Sequence, residues 1–393
     1  MKAIDRDVVA QEYPPSKDGH IYFNSGCCGR KPQSVLDAMA RAYERINTNP
    51  CHFTFRDTTT LDQARQAAAS LLSTASENVL LAFSTTNALQ IIMQSFLLKA
   101  GDELVTTDQE HGSLTTIARF LAETRGIVVR RHAIPVGEES SETHCRSLLS
   151  LVNERTKLVA VSEVVSYTGW RPNLDPLVQA LNRLNVPFLA DCAHGPGLIR
   201  CQPSRYPLWV GSAHKWLGAP NGSAVAYVAP SLAERLIPVN LGDTYYNVKD
   251  LNPADLSRLE GTGTADLAKW RGLTRAIDLH MSFGIDEVVQ YQLDLAQYLR
   301  LRLKESLDPI FRISHLFANG AQECTSIVNF RFPPERIKTS NLQDYLWDEH
   351  NIAVQLDYLN IEPGHGMRIS CHVSNSRQDV DKLIDALGKV VLK

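Results

Sequence analysis

Along the first part of the chain, short apolar runs alternate with longer segments whose apolar residues recur every three or four positions. Helical spacing is clear from Pro32 to Ile46, from Leu61 to Leu72 and from Leu174 to Leu184, the first with proline in its opening turn. Further helices are expected from Thr86 to Leu98 and from Ser113 onward. Strand-like runs fall at Val79 to Phe83, Glu103 to Thr106, Ile127 to Arg131, Lys157 to Val161, Pro187 to Ala190, Leu208 to Val210 and Ala224 to Val228. Short apolar strands interleaved with helices predict an α/β fold with a mostly parallel sheet covered on both faces.

After Gly263 the pattern changes. A helical stretch runs from about Ala265 to Leu307, with an interruption expected at Gly284. It is followed by strand candidates Ser326 to Phe332, Ile352 to Gln355 and Met367 to Cys371, and by helices at Asn341 to His350 and Ser376 to Val390. The expected organisation is a large domain over residues 21–262 and a helical linker with a smaller α+β domain over 263–393. Residues 1–20 form an N-terminal segment packing on the small domain.

Composition narrows the function classes. The chain has 393 residues, enough for two domains sharing a large core, and its 44% hydrophobic and 21% charged residues are ordinary for a globular protein. A net charge of −3 lacks the basic footprint of a nucleic-acid or anionic-membrane binder. No apolar run approaches the ~18 residues of a membrane span. The first residues scatter charges and prolines where a signal peptide needs an apolar stretch, so a cytoplasmic protein is expected. The eight cysteines lack the paired spacing of a zinc site, Cys27 and Cys28 being adjacent, and they read as reduced thiols without a metal.

In a parallel sheet, ligands bind just beyond the carboxyl ends of the strands. The polar groups of this chain sit there: Ser84, Thr85 and Thr86; Glu110 and His111; Ser166; Asp191 to His194; His214 and Lys215. Asp191 ends the apolar run VPFLAD, and Lys215 lies in the loop GSAHKWLGAPNG. Pyridoxal phosphate needs such a pair, a lysine for the imine and a carboxylate to keep the pyridine nitrogen protonated. Each group alone has a plainer reading: a solvated lysine beside a tryptophan, a threonine helix cap, a satisfied loop histidine.

Taken together, the motifs resemble the class V aminotransferase family, which includes cysteine desulfurases, cysteine C–S lyases and isopenicillin N epimerase. GSAHKWLGAPNGSAVAYV resembles the lysine motif and ADCAHGPG the aspartate motif, with His194 where the family has His or Gln near the cofactor's phenolic oxygen. YFNSGCCGRKP resembles the opening loop, LLAFSTTNALQ the phosphate loop and GDELVTTDQEHGS the ring-stacking loop. GMRISCHVSNSRQDVDKLIDAL resembles the C-terminal arginine motif. These run in family order over nearly the whole chain, from Tyr22 to Leu387.

The resemblance implies the aspartate aminotransferase-like fold (fold type I) and pyridoxal 5'-phosphate held by Lys215 as a Schiff base. It implies Asp191 on the ring nitrogen and His111 stacked on the ring. Thr85 and Thr86 open a helix whose N–H groups and dipole suit the phosphate, and Ser212 and His214 flank the lysine as further donors. Arg368 is expected to bind the substrate α-carboxylate, with Asn24 and Arg56 as second candidates on the substrate side. GTGTAD, with Gly263, Thr264 and Asp266, resembles an element that reaches the phosphate of a neighbouring subunit, which implies a homodimer with active sites at the interface; a plain glycine-rich hinge is the alternative.

Two departures bear on the reaction. Ser166, in SEVVSYTG, replaces an asparagine common in relatives, and Asn87 replaces a glutamate. More tellingly, desulfurases carry a nucleophilic cysteine before the arginine motif, and here the interval IAVQLDYLNIEPGHGMR has none. A persulfide-forming desulfurase is therefore disfavoured. The expected substrate is a small amino acid attacked at its α-carbon, and the first expectation is β-elimination from a cysteine derivative or S-conjugate. Epimerisation, decarboxylating or oxidative chemistry and transamination share the same carbanion, and a non-catalytic binding protein of the same fold is a further alternative.

Overall fold

The structure is a computed structural model and describes residues 4–57, 59–135, 140–241, 254–261, 263–307, 323–332, 341–357 and 365–390. Among these residues the strands are, in chain order, β1 (Ile21–Tyr22), β2 (Val79–Ala82), β3 (Glu103–Thr107), β4 (Val128–His132), β5 (Thr156–Ser162), β6 (Phe188–Asp191), β7 (Leu208–Ser212), β8 (Ala224–Val228), β9 (Ile327–Phe332), β10 (Ile352–Ala353), β11 (Gln355–Asp357) and β12 (His365–Ser370). Strands β2 to β8 form one seven-stranded sheet in the order β2-β8-β7-β6-β5-β3-β4. Its pairs are parallel except those of β8, which runs antiparallel between β2 and β7.

The alternation of the strands explains their continuous apolar appearance. Leu80, Leu104, Leu158, Leu189 and Leu208 point to one layer, where they meet Leu89, Ile92, Leu114 and Leu121. Their neighbours Leu81, Val105, Val159, Phe188 and Trp209 point to the other, against Leu72, Leu177, Leu181 and Leu273. With both faces covered, neither set tolerates polar residues, and each fully buried Leu or Phe contributes about 2 kcal/mol. The edge strand β4 is half exposed and carries Arg130 and Arg131, charges that suit an unpaired edge. Arg130, with Arg155 at 2.8 Å and Asn153 at 2.7 Å, neutralises the buried carboxylate of Glu103 at the head of β3.

The long helical stretch is broken where expected. Helix Ala268–Phe283 ends at Gly284, whose φ of 85° is open to glycine, and helix Ile285–Leu307 follows. The second helix and helix Arg377–Val390 pack on a three-stranded antiparallel sheet, β11-β12-β9, around Leu299, Phe330, Met367, Ile369 and Leu383.

The single strand expected over Ile352 to Gln355 is two strands. β10 pairs in parallel with β1, whereas β11 pairs antiparallel with β12. Buried Val354 lies between them, and one run serves two partners by dividing there. The N-terminal helix Arg6–Glu12, not anticipated from the pattern, is capped by Asp5, and Arg6 donates to the carbonyls of Val373 (2.6 Å) and Asn375 (3.2 Å). Helices Pro50–Phe55 and Ser141–Ser150 were likewise not singled out by periodicity. No helix among the described residues is long and apolar enough to cross a membrane, and no group of three metal-ligating side chains occurs among them.

Candidate active site

The parallel strands bring their carboxyl ends to one edge, and the candidate residues follow those ends in turn. Between β3 and β5 the chain reverses its direction of winding across the sheet, the place where an open α/β sheet leaves a crevice. His111 follows β3, Ser166 follows β5, Asp191 closes β6, and Ser212 closes β7 with Lys215 three residues on. Ser162, Asp191 and Val210 are aligned across β5, β6 and β7.

Lys215 stands at the centre. Its Nζ lies 3.4 Å from Nε2 of His194. Burial lowers its basicity, the positive charge of Arg368 lowers it further, and Asp191, Cys27 and Cys28 offset part of this, leaving a pKa of about 8. An amine so poised is neutral over much of the range near pH 8, the form that attacks an aldehyde or takes a proton.

Asp191 is 3% exposed, and its Oδ1 accepts from the N–H of Ala193 at 3.0 Å. Burial raises its pKa, while the Lys215 charge and that N–H pull it back. Beside it lies Glu110, also buried, whose carboxyl accepts from Thr107 Oγ1 (2.8 Å) and pairs with the Ser162 hydroxyl (2.5 Å). Burial, with repulsion from Asp191, pushes Glu110 up to about 7. The negative charge of Asp191 disfavours a second charge on Glu110, while the donors on its carboxyl favour it. Glu110 appears in the sequence as half of a polar pair; nothing in spacing marks it as a partner of Asp191.

His194 is 1% exposed, and its Nε2 is 3.0 Å from the Ser166 hydroxyl. Arg368, on β12, donates from Nη1 to the Ser166 carbonyl at 3.0 Å. The second sheet thus supplies a buried guanidinium to the cleft edge of the first. Asn24 donates to Gln355 Oε1 at 3.1 Å, which places it next to the same strands, while its buried Oδ1 has no partner among the described residues.

Helix Thr85–Ser95 begins at the end of β2, with Ser84 as its cap. Thr85 is buried and its hydroxyl is 2.6 Å from that of Ser212. That bond follows from register, since Ala82 and Ser212 are both aligned with Ala224. Thr86 is exposed and shares a 2.7 Å hydrogen bond with Ser113, which also bonds His111 Nδ1 at 3.0 Å. His111 is exposed at the head of helix Gly112–Arg125, and its pKa is lowered by desolvation and by the charges of Lys215 and Arg368. His214 donates from Nδ1 to the Ser223 carbonyl at 3.2 Å, so its Nε2 carries a proton only in the charged ring.

Two candidates stand apart from this cluster. Arg56 is exposed at the end of helix Pro50–Phe55 and makes no side-chain hydrogen bond or ion pair among the described residues. Thr264 is exposed beside Gly263, while Asp266 accepts from the Ala268 N–H at 2.9 Å and from Tyr43 at 2.5 Å. Cys27, exposed, and Cys28, half-buried, come close enough to Lys215 to affect its charge; their loop is pinned by Asn24 O, which accepts from the Cys27 N–H at 2.9 Å. Cys371 is wholly buried. In the interval from Ile352 to Arg368, residues 358–364 lie outside the described residues.

A lysine of lowered basicity, a buried carboxylate and a helix N-terminus at one edge of a mostly parallel sheet define a class: fold type I enzymes built around pyridoxal phosphate. The chain belongs to the Aminotransferase class-V family, whose profile matches residues 21–383. It is 30% identical to an isopenicillin N epimerase of Amycolatopsis lactamdurans, over 93% of this chain and 94% of that protein. It is 27% identical to a probable cysteine desulfurase of Vibrio cholerae, over 99% of both. Among solved structures, the cystine C–S lyase C-DES in complex with its product cysteine persulfide superposes with a TM-score of 0.82 at 21% identity, over 94% of this chain and 98% of that one. Pyridoxal phosphate is the cofactor of this family. The donor set fits it, with an amine for the aldehyde, a buried carboxylate whose charge the Lys215 cation and the Ala193 N–H favour, and hydroxyls and N–H groups at the head of helix Thr85–Ser95.

Proposed function

We propose that this protein is a lyase that breaks the C–S bond of a cysteine derivative or S-conjugate by β-elimination at a pyridoxal phosphate held on Lys215. The observation that carries the reading is the Lys215 amine, lowered to about 8 between Arg368 and Asp191 and 3.4 Å from His194. When bound, the cofactor supplies a ring that takes up the electron pair left as a bond to the α-carbon breaks. Asp191 would hold the ring nitrogen protonated, and His111 would lie against the ring. Thr85, Thr86, Ser212 and His214 hold the phosphate, with Thr264 reaching it from a second copy in a homodimer. Arg368 would take the α-carboxylate with Asn24 beside it, and the Lys215 amine would take the α-proton.

The outcome is pyruvate, ammonia and a thiol from the cysteine derivative and water. Two observations support elimination over persulfide transfer: no cysteine in the interval from Ile352 to Arg368, and a buried Cys371. Incubating the holoenzyme with cystine and S-alkylcysteines tests it. Pyruvate and ammonia in equal amounts are expected, and their absence across that panel overturns the lyase reading.

Epimerisation is the second reading, favoured by the isopenicillin N epimerase that matches 93% of the chain. It predicts, in the same mixtures run in deuterium oxide, inversion at the α-carbon with one solvent deuterium and no ammonia.

A further inference from the structure

Inside the cleft, one buried side chain has no place in the chemistry above. Trp216 follows Lys215 directly and is fully buried. Its indole Nε1 lies 3.2 Å from Nδ1 of His194. An indole nitrogen is a donor only, so Nδ1 of His194 accepts and carries no proton. The His194 ring is neutral, its basicity held well below the usual range by burial and by the charges of Lys215 and Arg368. A neutral imidazole has a single proton, and with Nδ1 taken it resides on Nε2.

Nε2 faces the cleft, 3.0 Å from Ser166 Oγ and 3.4 Å from Lys215 Nζ. Ser166 does not fix the tautomer, since a serine hydroxyl turns to donate or accept, and Lys215 does both once its amine is neutral. Among the described residues the indole is the contact of this ring that has a fixed sense. It is held firmly: the Trp216 carbonyl accepts from His372 Nε2 at 2.9 Å, and Nδ1 of His372 in turn accepts from the Ser374 N–H at 3.2 Å. Gly197, at φ 86°, passes so close that a Cβ there would lie 2.7 Å from Trp216 C and Leu217 N.

We propose that Trp216 is a positioning residue that sets the tautomer of His194, so that a proton on Nε2 always points at the phenolic oxygen of the lysine-linked cofactor. A donor on that oxygen competes with the neighbouring iminium for its negative charge and so lowers the pKa of the linkage. The inference rests on Lys215 as the attachment point and adds a residue to that reading.

The test is a pH titration of the visible band of the holoenzyme in wild type, Trp216→Phe, His194→Gln and the double variant. Glutamine carries its donor without a tautomer to set. Trp216→Phe is expected to move the midpoint upward by about half a pH unit or more in the wild-type background and to leave it unmoved in the His194→Gln background. Equal shifts in both backgrounds assign Trp216 a packing role and overturn the proposal, as does no shift in either. The ¹⁵N shifts of His194 in the wild-type holoenzyme give an answer that no variant's folding affects: protonated Nε2 with bare Nδ1 is expected, and the reverse overturns the proposal. A wild type with no lysine-linked band overturns the Lys215 reading instead.

Discussion

The guanidinium of Arg368 donates from Nη1 to the carbonyl oxygen of Ser166 at 3.0 Å, and through that serine the second sheet touches the ring of His194. A group proposed for the substrate and a group proposed for the cofactor therefore share one residue. The Ser166 hydroxyl lies 3.0 Å from His194 Nε2. Arg368→Lys keeps the charge and loses the planar fork, so KM for amino acids is expected to rise about 30- to 100-fold with the lysine-linked band intact. Steady-state kinetics against an absorbance spectrum check it, and an unchanged KM removes Arg368 from the carboxylate site.

The pKa of about 8 at Lys215 gives a pH prediction with a definite sign. Only the neutral amine attacks the cofactor aldehyde, so the rate at which apoenzyme gains its visible band rises with pH and levels off above about 8. A lysine at its ordinary value would keep accelerating to about 10. Because Arg368 lowers this pKa, Arg368→Met moves the profile to higher pH.

Gly29→Ala probes the fit of the opening loop against the lysine loop. Gly29 N–H donates to the His214 carbonyl at 2.8 Å, and a Cβ on Gly29 would overlap the Lys215 carbonyl oxygen. Backbone there has to move, and a loss of about 2 kcal/mol in stability together with weaker cofactor retention is expected. Thermal melts and cofactor content after dialysis measure both.

Arg65 and Glu260 form a two-point ion pair at 2.7 and 2.9 Å, and Glu260 also accepts from the Leu81 N–H at 2.6 Å. The pair ties the segment before Gly263 to β2, close to the head of helix Thr85–Ser95. Arg65→Ala leaves a mostly buried carboxylate without its cation and is expected to cost about 3 kcal/mol in denaturant unfolding.

Thr264→Ala separates the dimer proposal from a plain hinge. If Thr264 reaches the phosphate of a second copy, the variant releases pyridoxal phosphate several-fold faster in dialysis, roughly the loss of one charge-assisted hydrogen bond. Release at the wild-type rate, or a monomer in sedimentation of the wild type, leaves residues 261–266 as a hinge.

Much of this was legible in the chain because it is local. The apolar runs that became β2, β3 and β5 to β8 are short and hydrophobic on both faces, and a strand buried on both sides has no other pattern. Gly284 announced its break because only glycine sits easily at φ 85°. Asp191 and Lys215 stood out because each follows or closes a strand, and parallel strands send those positions to one edge. The division of Ile352 to Gln355 between β1 and β12 was not legible, since the choice of partner rests on strands more than three hundred residues upstream and about a dozen downstream. Nor was the contact of Glu110 with Ser162, of Arg368 with Ser166, or of Trp216 with His194. Those depend on which side chains the folded sheet brings within 3 to 4 Å, and no periodicity along the chain records that distance.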